Sequence, residues 1–327
     1  MALSVGIMGA GRMAQGFDRP CDHQVLSLAH AVTRTQGLSL DGFYDLDPLR
    51  AEAAEVRWSV AAGPRDRAAW LDAGWEVVCI ATPDACHGRD LADVLACKPR
   101  AVVVEKPLST DPDEADALLD QAAASGVAVI VNYPRRFHSG VAEVAETIAA
   151  GALGDPLQAT FIHSGSAAHA AVHMLDLFHG WWGQEWNVRS AGVSGGTHLL
   201  TLTDGSLVLP LSVSRLDGDP YYIWEMQVSC EKGQVALTRS PEFLEIRFPA
   251  PHPLYPDFAV LTPGKTFDME CEPLLLRLME HVVALAHDRE RAGEQARLEC
   301  ERQGFTGALL RLLEPHAGAA SSERMVS

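Results

Sequence analysis

The fold is decided by the first stretch of the 327-residue chain, Leu3-Ser4-Val5-Gly6-Ile7-Met8-Gly9-Ala10-Gly11-Arg12-Met13-Ala14. Its first six residues are mostly apolar and do not alternate with polar ones, which is typical of a strand buried on both faces. The next six form the pattern GxGxxA, in which Gly9 permits a tight turn and Gly11 lets the backbone approach a pyrophosphate. We therefore predict that this stretch opens a dinucleotide-binding βα unit.

Four further apolar runs, rich in valine and isoleucine, follow within the first 131 residues. They are Leu38–Tyr44, Val77–Ala81, Ala101–Val104 and Val127–Val131. Helical patterns such as Asp113–Ala124 separate them. Strands and helices in alternation are typical of a doubly wound parallel sheet, so we predict an NAD(P)-binding Rossmann domain over residues 1–131 of an α/β protein.

The sequence changes character after residue 131. Helical patterns cover Val141–Ala150, Glu272–Asp288 and Arg297–Leu313, and a His- and Trp-rich amphipathic stretch lies between the first two. The strand-like runs are Gln158–Ile162, Thr197–Leu202, Ser206–Ser212, Ile223–Ser229 and Gln234–Thr238, with Asp204-Gly205 and Lys232-Gly233 where hairpin turns would lie. We predict a second α/β domain with an open, mostly antiparallel sheet over residues 132–317, and a disordered tail over residues 318–327.

Composition and charge narrow the function classes. The chain has 26 basic and 43 acidic residues and a net charge of −17, which argues against nucleic-acid binding. Its seven cysteines are odd in number and form no CxxC pair, which argues against a disulfide framework and a structural zinc site. We find no apolar run of about 20 residues and no signal-peptide pattern. These features predict a cytoplasmic protein without a membrane partner.

The second apolar run ends at Asp45, where an acidic residue bears on cofactor choice. A carboxylate here can accept hydrogen bonds from both adenosine-ribose hydroxyls and would repel a 2′-phosphate, which favours NAD over NADP. A second interpretation is that Asp45 caps the next helix. The nearby Arg50 leaves NADP open.

The distance from the glycine-rich turn to Asp45 is long because of an insertion, Asp18–Asp22. Pro20 would break the first helix, and Asp22 could cap its continuation. Two interpretations stay open: the loop lies near the cofactor or the substrate, or it is a neutral surface insertion.

An ordered set of motifs resembles the Gfo/Idh/MocA family, which includes glucose–fructose oxidoreductase and inositol dehydrogenase. The motifs are Gly9–Ala14, Asp45, Ile80-Ala81-Thr82-Pro83 with His87, Glu105-Lys106-Pro107, Asn132-Tyr133 with Arg136-Phe137, Gly151, Gly154, and His173-Met174-Leu175-Asp176 with Trp182-Gly183. The resemblance is strong over about the first 185 residues. It implies a substrate that is a sugar, cyclic polyol or nucleotide sugar. It also implies an open sheet that carries subunit contacts, hence a homodimer or homotetramer.

Lys106 is the residue that this resemblance and elementary chemistry both single out. Hydride transfer from an alcohol carbon to nicotinamide needs a proton shuttle and positive charge near the hydroxyl oxygen. A lysine suits both roles. Lys106 follows the run Ala101–Val104, at the edge of a parallel sheet where ligands bind. By resemblance, Thr82-Pro83 lines the nicotinamide ribose with His87 nearby; the alternative is that His87 only starts a helix.

The second domain is expected to supply further substrate groups. His169, His173 and Asp176 have spacings of four and three, which put them on one face of a helix. By resemblance His173 is a general acid/base or a substrate ligand, but related dehydrogenases carry aspartate where this chain has His169. Three explanations stay open: His169 takes over the polar role, the substrate differs, or the chain binds sugar without turnover. The spacing also suits a metal, but the family generally needs none, and we predict no metal.

The predicted site residues fall into three sets. The cofactor set is Gly9, Gly11, Arg12, Met13, Asp45, Ala81, Thr82, Pro83, His87, Glu105, Lys106 and Asn132. The substrate set is Lys106, Arg136, His169, His173 and Asp176, of which Lys106, His173 and His169 are the catalytic candidates. The primary hypothesis is an NAD(P)-dependent oxidoreductase acting on CH–OH groups. The alternatives are a non-catalytic cofactor- or sugar-binding regulator and an inert NAD-binding subunit.

Overall fold

The computed structural model describes residues 2–183, 186–216, 218, 221–239 and 241–314. The chain divides into a first unit, Met1–Phe137 with Glu272–Gly304, and a second unit, His138–Cys271 with the chain from Phe305 onward. The tail predicted over residues 318–327 lies outside the described residues. Among the helices that are described, none combines the length and the apolar character needed to cross a membrane.

The elements alternate in the first third of the chain and are mostly strands in the middle. The strands are β1 (Leu3–Met8), β2 (Leu38–Tyr44), β3 (Val77–Ile80), β4 (Ala101–Val104), β5 (Ala128–Val131), β6 (Pro156–His163), β7 (Asn187–Ser194), β8 (Thr197–Thr203), β9 (Val208–Arg215), β10 (Trp224–Cys230), β11 (Gly233–Thr238), β12 (Phe243–Pro251) and β13 (Ala259–Asp268). The helices are α1 (Leu28–Arg34), α2 (Pro48–Trp58), α3 (Arg67–Leu71), α4 (His87–Ala96), α5 (Pro112–Ser125), α6 (Ser139–Ala149), α7 (Ala171–Trp182), α8 (Leu274–Ala286) and α9 (Arg289–Leu313).

The first unit is built on a five-stranded parallel sheet. Its strand order is β2-β1-β3-β4-β5, and every neighbouring pair runs parallel. All residues of β3, β4 and β5 are buried, as expected for strands covered by helices on both faces. The predicted Rossmann sheet is confirmed, and its five strands begin and end within one residue of the predicted positions.

The helix α8 belongs to the core of the first unit. Leu278, Met279 and Val282 are fully buried in the same apolar cluster as the strands of the parallel sheet. The first unit therefore continues past the predicted boundary at residue 131 to Phe137 and also takes in Glu272–Gly304. Helical periodicity predicted α8, but it could not show which core its apolar face would meet.

The second unit contains an eight-stranded sheet in the order β13-β12-β11-β10-β6-β9-β8-β7. Only the β6–β9 pair of this sheet is parallel, so the predicted open, mostly antiparallel sheet is confirmed. The helices α6 and α7 pack on it around Phe161, Phe178 and Trp224, which are fully buried. The strands β7, β12 and β13 were not predicted. Nearly every residue of β13 is exposed, so its sequence lacks the alternation that marks a strand.

The first helix is interrupted differently from the prediction. The glycine-rich turn leads into one π-helical turn, Arg12–Gly16, and α1 starts only at Leu28. Ser27 caps α1, since its hydroxyl accepts a hydrogen bond from His30 N at 3.3 Å. The predicted cap at Asp22 is wrong: its carboxylate accepts a hydrogen bond from Arg19 N inside the loop.

A buried carboxylate holds this insertion in place. Asp18 accepts hydrogen bonds from Leu26 N and Ser27 N at 2.6 and 3.1 Å, and its Oδ2 lies 2.8 Å from His30 Nδ1. Asp18 and His30 are almost completely buried. The insertion is therefore anchored to the start of α1 by a buried polar cluster.

We predict that Leu278→Ala destabilises the first unit, because it leaves a cavity in a core that α8 completes. The expected loss is about 2–5 kcal/mol in the free energy of unfolding. Hydrogen exchange followed by mass spectrometry should show faster exchange in β1, β4 and β5. Leu298→Ala, at a half-exposed leucine of α9, is the control and should change little. Equal loss of protection in β6 and β10 would contradict the assignment of α8 to the first core.

Candidate cofactor and substrate sites

The parallel sheet has a switch point between β1 and β3, where the strand order reverses. Ligands of open α/β sheets bind outside the carboxyl ends of the strands at such a point. Gly9 follows β1 with φ +95°, and a Cβ atom there would lie 2.4 Å from Ala81 O. Only glycine allows this approach of two backbone turns. The turns after β1 and β3 therefore meet at the base of a crevice.

A pocket of about 400 Å³ lies at this point of the sheet. Its lining includes six predicted cofactor residues: Gly9, Gly11, Asp45, Ala81, Thr82 and Pro83. A Cβ atom at Gly11 would meet no atom within 4 Å, so the glycine leaves open space beside the backbone. The glycine-rich turn thus offers the unobstructed backbone that a pyrophosphate needs, and the residues present fit a dinucleotide.

Asp45 is held against the glycine-rich turn. Its Oδ2 accepts a hydrogen bond from Ala10 N at 2.8 Å, and its Oδ1 accepts one from Asp47 N at 2.9 Å. The cap of α2 is Asp47, whose Oδ1 accepts a hydrogen bond from Leu49 N, so the alternative interpretation of Asp45 as the helix cap is wrong. Asp45 keeps a fixed carboxylate at the pocket wall, where it can accept further hydrogen bonds.

A buried polar network that the sequence did not reveal lies beside this pocket. Asp90 is fully buried, and its carboxylate accepts hydrogen bonds from Arg67 Nη2 at 2.9 Å, Arg89 Nη2 at 3.0 Å and Thr82 Oγ1 at 2.7 Å. Burial opposes the charge of Arg67, but the carboxylates of Asp93 and Asp90 outweigh it and raise the pKa of that guanidinium. Asp90 therefore fixes two arginines and the Thr82 side chain around the cofactor pocket.

Lys106 follows β4 and is half-buried. Burial lowers the pKa of its ammonium group below the ordinary value, while the Glu105 and Asp84 carboxylates act in the opposite direction. Hydrogen bonds and ion pairs of the described residues include none to Lys106 Nζ. A partly desolvated lysine gives up its proton at a lower pH than an exposed one.

Glu105 and Asn132 form a pair beside Lys106, at the carboxyl ends of β4 and β5. Asn132 Nδ2 donates to Glu105 Oε1, and Asn132 is buried. Burial raises the pKa of Glu105, and the Asn132 hydrogen bond and the charges of Lys106 and His87 offset part of that rise. Asn132 Oδ1 is buried and receives no hydrogen bond from the described residues. The predicted contacts of Glu105 and Asn132 with the cofactor stay predictions.

His87 begins α4, as the structural interpretation of this residue predicted, and only 1% of it is exposed. Its Nε2 lies 2.7 Å from Thr82 O, and its Nδ1 lies 2.7 Å from Pro107 O. Both ring nitrogens are thus engaged with backbone carbonyls of two turns at the cofactor edge. A direct contact of His87 with the cofactor stays a prediction.

Three other predicted residues of the first unit have structural contacts. The Arg12 guanidinium lies 4.9 Å from the centre of the Phe17 ring, and Met13 packs against the core. The Arg136 guanidinium lies 2.5 Å from Glu299 Oε1, in a largely buried ion pair with α9. Their roles toward cofactor and substrate stay predictions.

The second unit contains the predicted substrate residues His169, His173 and Asp176. His173 and Asp176 lie in α7, but His169 lies in the turn before it, because α7 begins at Ala171. The expectation that all three lie on one helical face is therefore wrong for His169. This histidine is exposed, and its Nδ1 lies 2.7 Å from Ser166 Oγ. Asp176 is buried, and the His173 ring is half-buried.

One aromatic cluster of the second unit adds a candidate that the sequence did not single out. The His173 ring stacks on Trp224 with 5.3 Å between centroids, and Trp224 is paired with His163 across β10 and β6. His163 is buried, and its Nδ1 has no hydrogen-bond partner among the described residues. Burial lowers the pKa of His163, which favours the neutral ring. His163 escaped the sequence reasoning because it matches a buried strand position.

Comparison with known proteins agrees with the fold and the glycine-rich turn. Residues 3–133 match the model of the Gfo/Idh/MocA group, described as an oxidoreductase family with an NAD-binding Rossmann fold. An inositol 2-dehydrogenase of Mycolicibacterium smegmatis is 33% identical over 171 residues, which are 50% of this chain and 44% of that protein. The matched stretch thus spans less than half of that relative. The predicted family resemblance and the nicotinamide cofactor are confirmed.

Solved structures are similar over almost the whole chain. A mutant 3-ketoreductase from Actinomadura kijaniata, in complex with TDP-benzene and NADP, has a TM-score of 0.72 at 14% identity and covers 94% of this chain and 96% of its own. An inositol dehydrogenase homologue from Azotobacter vinelandii, complexed with NAD+, has a TM-score of 0.70 at 15% identity, with coverages of 96% and 95%. At this identity the likeness shows the fold.

We predict that Asp45→Asn shifts cofactor preference from NAD toward NADP. The substitution removes the negative charge that repels a 2′-phosphate and weakens the hydrogen bonds that a ribose can make. Hydrogen bonds to charged groups contribute about 1.5–3 kcal/mol, so NADH binding should weaken about 10- to 100-fold. Fluorescence titration with NADH and NADPH measures the ratio. Asp41→Asn, on the exposed side of the same strand, is the control. An unchanged ratio in Asp45→Asn would exclude the proposed role.

Proposed function

We propose that this chain, a member of the Gfo/Idh/MocA oxidoreductases, is an NAD-dependent dehydrogenase or reductase of a CH–OH carbon. The proposed substrates are sugars, cyclic polyols or nucleotide sugars. The observation that carries the proposal is Lys106, a half-buried lysine of lowered pKa that follows β4 and has no ion-pair partner among the described residues. The inositol 2-dehydrogenase activity of the Mycolicibacterium relative supports this class of substrate.

The bound nicotinamide would supply the hydride acceptor or donor, and the protein would handle the proton. In the oxidation direction, the neutral Lys106 amine accepts the hydroxyl proton. The resulting ammonium then lies beside the alkoxide oxygen as negative charge develops there. Glu105, next to Lys106, acts to raise the pKa of the lysine and so keeps it charged up to a higher pH than burial alone would allow. This division assigns proton transfer and electrostatic stabilisation to the same side chain.

The second unit is proposed to provide further polar groups to the substrate. We keep His173 as the second proton-handling residue and His169 and Asp176 as substrate ligands, together with Arg136. His163 joins them as a candidate, because its neutral ring has an unpartnered Nδ1. A histidine in the place of aspartate cannot supply fixed negative charge, so His169 would bind the substrate as a neutral donor or acceptor.

NAD is the proposed cofactor, with NADP as the weaker alternative. The fixed Asp45 carboxylate favours unphosphorylated ribose, and Asp47 adds a second negative charge to the pocket wall. Arg67 and Arg89 also line the pocket, but Asp90 and Asp93 engage Arg67, and Asp90 engages Arg89. These pairs reduce the positive charge that a 2′-phosphate would need.

We predict that Lys106→Ala lowers kcat about 100- to 10,000-fold, the usual contribution of general acid–base catalysis. The assay follows NADH absorbance with inositols, hexoses and nucleotide sugars as substrates. In the wild type, kcat/KM for oxidation should rise with pH through a midpoint below about 10.4, the ordinary lysine pKa, because burial lowers the pKa of Lys106. Lys106→Ala should lose this rise of kcat/KM with pH.

Two variants separate the roles of the lysine. Lys106→Arg keeps the positive charge but does not deprotonate. Its kcat should therefore lie between those of Lys106→Ala and the wild type, and its kcat/KM should lack the rise with pH. Lys98→Ala, at an exposed lysine of the same unit, should leave the rate and its pH dependence unchanged. Equal turnover by wild type and Lys106→Ala would rule out the role of Lys106. Tight NAD binding without turnover of any substrate would favour the alternative hypothesis of a non-catalytic regulator.

We also propose that the chain self-associates through the open face of its eight-stranded sheet, as a homodimer or homotetramer, in the cytoplasm. The helices α6 and α7 cover one face. Leu200 and Leu209 point to that covered face and are buried. Because side chains alternate along a strand, Leu199 and Val208 point to the other face, where each is more than half exposed.

We predict that Leu199→Glu shifts the chain toward monomer, since it would bury a charge in the proposed interface. Light scattering after size-exclusion chromatography measures the mass at several protein concentrations. Leu254→Glu, at an exposed leucine outside the strands of the same unit, should leave the mass unchanged. A wild-type monomer at high concentration would exclude the proposed interface.

A further inference from the structure

His87 ties together two turns at the carboxyl edge of the parallel sheet. Its Nε2 lies 2.7 Å from Thr82 O in the turn after β3, and its Nδ1 lies 2.7 Å from Pro107 O in the turn after β4. Carbonyl oxygens only accept hydrogen bonds, and a neutral imidazole carries one N–H. With a neutral ring, one of the two contacts would therefore bring two lone pairs together in a buried place. The doubly protonated ring satisfies both contacts.

Charged groups on three segments of the chain neighbour His87. They are Asp84, Arg89 and Asp90 on its own turn and helix, Glu105 and Lys106 after β4, and Glu114 on α5. Four of these groups are carboxylates and two are cations. Glu114 lies against the first turn of α4, since a Cβ atom at Gly88 would come within 1.9 Å of its Oε2. A cationic imidazole in this surrounding is compensated by carboxylates from three segments.

We propose that His87 is a positioning residue for the reaction proposed above: as an imidazolium it donates to Thr82 O and Pro107 O and so fixes the Lys106–Pro107 turn relative to the cofactor-lining turn. The effect on turnover rests on the proposed function. The protonation of the ring and the tie between the two turns are properties of the folded first unit alone.

The positive charge of His87 has an effect near Lys106 that an uncharged side chain in the same place would not have. Burial raises the pKa of Glu105, and His87 is one of the charges that counteract this rise. Without that charge, Glu105 takes up a proton at higher pH. Lys106 depends on the same carboxylate, since the charge of Glu105 supports its ammonium form. Removing His87 should therefore shift the pH dependence of the rate as well as lower the rate.

The first measurement needs no substrate. Full-length protein labelled with ¹⁵N-histidine has 13 histidines, and His87→Gln identifies the His87 signals by their loss. At neutral pH, both ring nitrogens of His87 should resonate at the imidazolium position, with and without NAD. A pair of shifts typical of a neutral tautomer, with one protonated and one bare nitrogen, would overturn the proposal.

The second measurement compares His87→Gln with wild type. A glutamine amide can donate to one of the two carbonyls but cannot span both. We expect kcat to fall about 10- to 100-fold, as for a small misplacement of a catalytic group, with a smaller change in KM for NAD. The midpoint of the rise of kcat/KM with pH should also shift. His281→Gln, at a half-buried histidine of α8 outside the cofactor pocket, should change neither quantity.

The outcomes separate this proposal from the proposed function. Wild-type kcat and an unmoved pH limb in a folded His87→Gln variant would overturn the positioning role. A loss of stability with kcat and pH limb unchanged per folded molecule would also overturn it, because it would show a structural role alone. If no substrate is turned over, the proposed function fails, whereas the ring-nitrogen shifts still decide whether His87 is the doubly protonated tie.

Discussion

The contact between the turns after β1 and β3 is the constraint on which the cofactor site depends. Ala81 O lies so close to Gly9 that a Cβ atom at this position would clash with it. Because glycine has no Cβ atom, both turns can reach the switch point of the sheet. The pocket forms there because the two backbones come so close together. Asp45, fixed to Ala10 N, then forms part of the wall of the same pocket. A side chain at position 9 would push these two turns apart and so disrupt the pocket, even if every polar group of the site were kept.

Thr82 connects the two ends of the proposed cofactor site. Its hydroxyl donates to Asp90, which also holds Arg67 and Arg89 on the pocket wall. Its carbonyl oxygen faces His87, whose other ring nitrogen faces Pro107 O in the turn that carries Lys106. Thr82 therefore has one bond to the wall of the pocket and another to His87, which also contacts the turn of Lys106. The motif Thr82-Pro83 with His87 names two of these residues but does not reveal either bond.

Much of the fold could be predicted from local sequence, because buried parallel strands are continuous apolar runs. Those runs placed β1 to β5 within one residue. The exposed strand β13 has no such run, so only its pairing with β12 reveals it. The same limit applies to the site. The family motifs single out Lys106, whereas the bond between Arg67 and Asp90 joins residues of α3 and α4 that are 23 positions apart in the sequence.

The polar groups around Lys106 explain why burial does not simply convert this lysine to its neutral form. Burial opposes the charged forms of Lys106 and Glu105 alike, yet each supports the ionised form of the other. The Asn132 hydrogen bond stabilises the carboxylate further. The lysine therefore has a lowered pKa without becoming permanently neutral. That balance suits the role proposed for Lys106, which is to accept a proton and then stabilise an alkoxide.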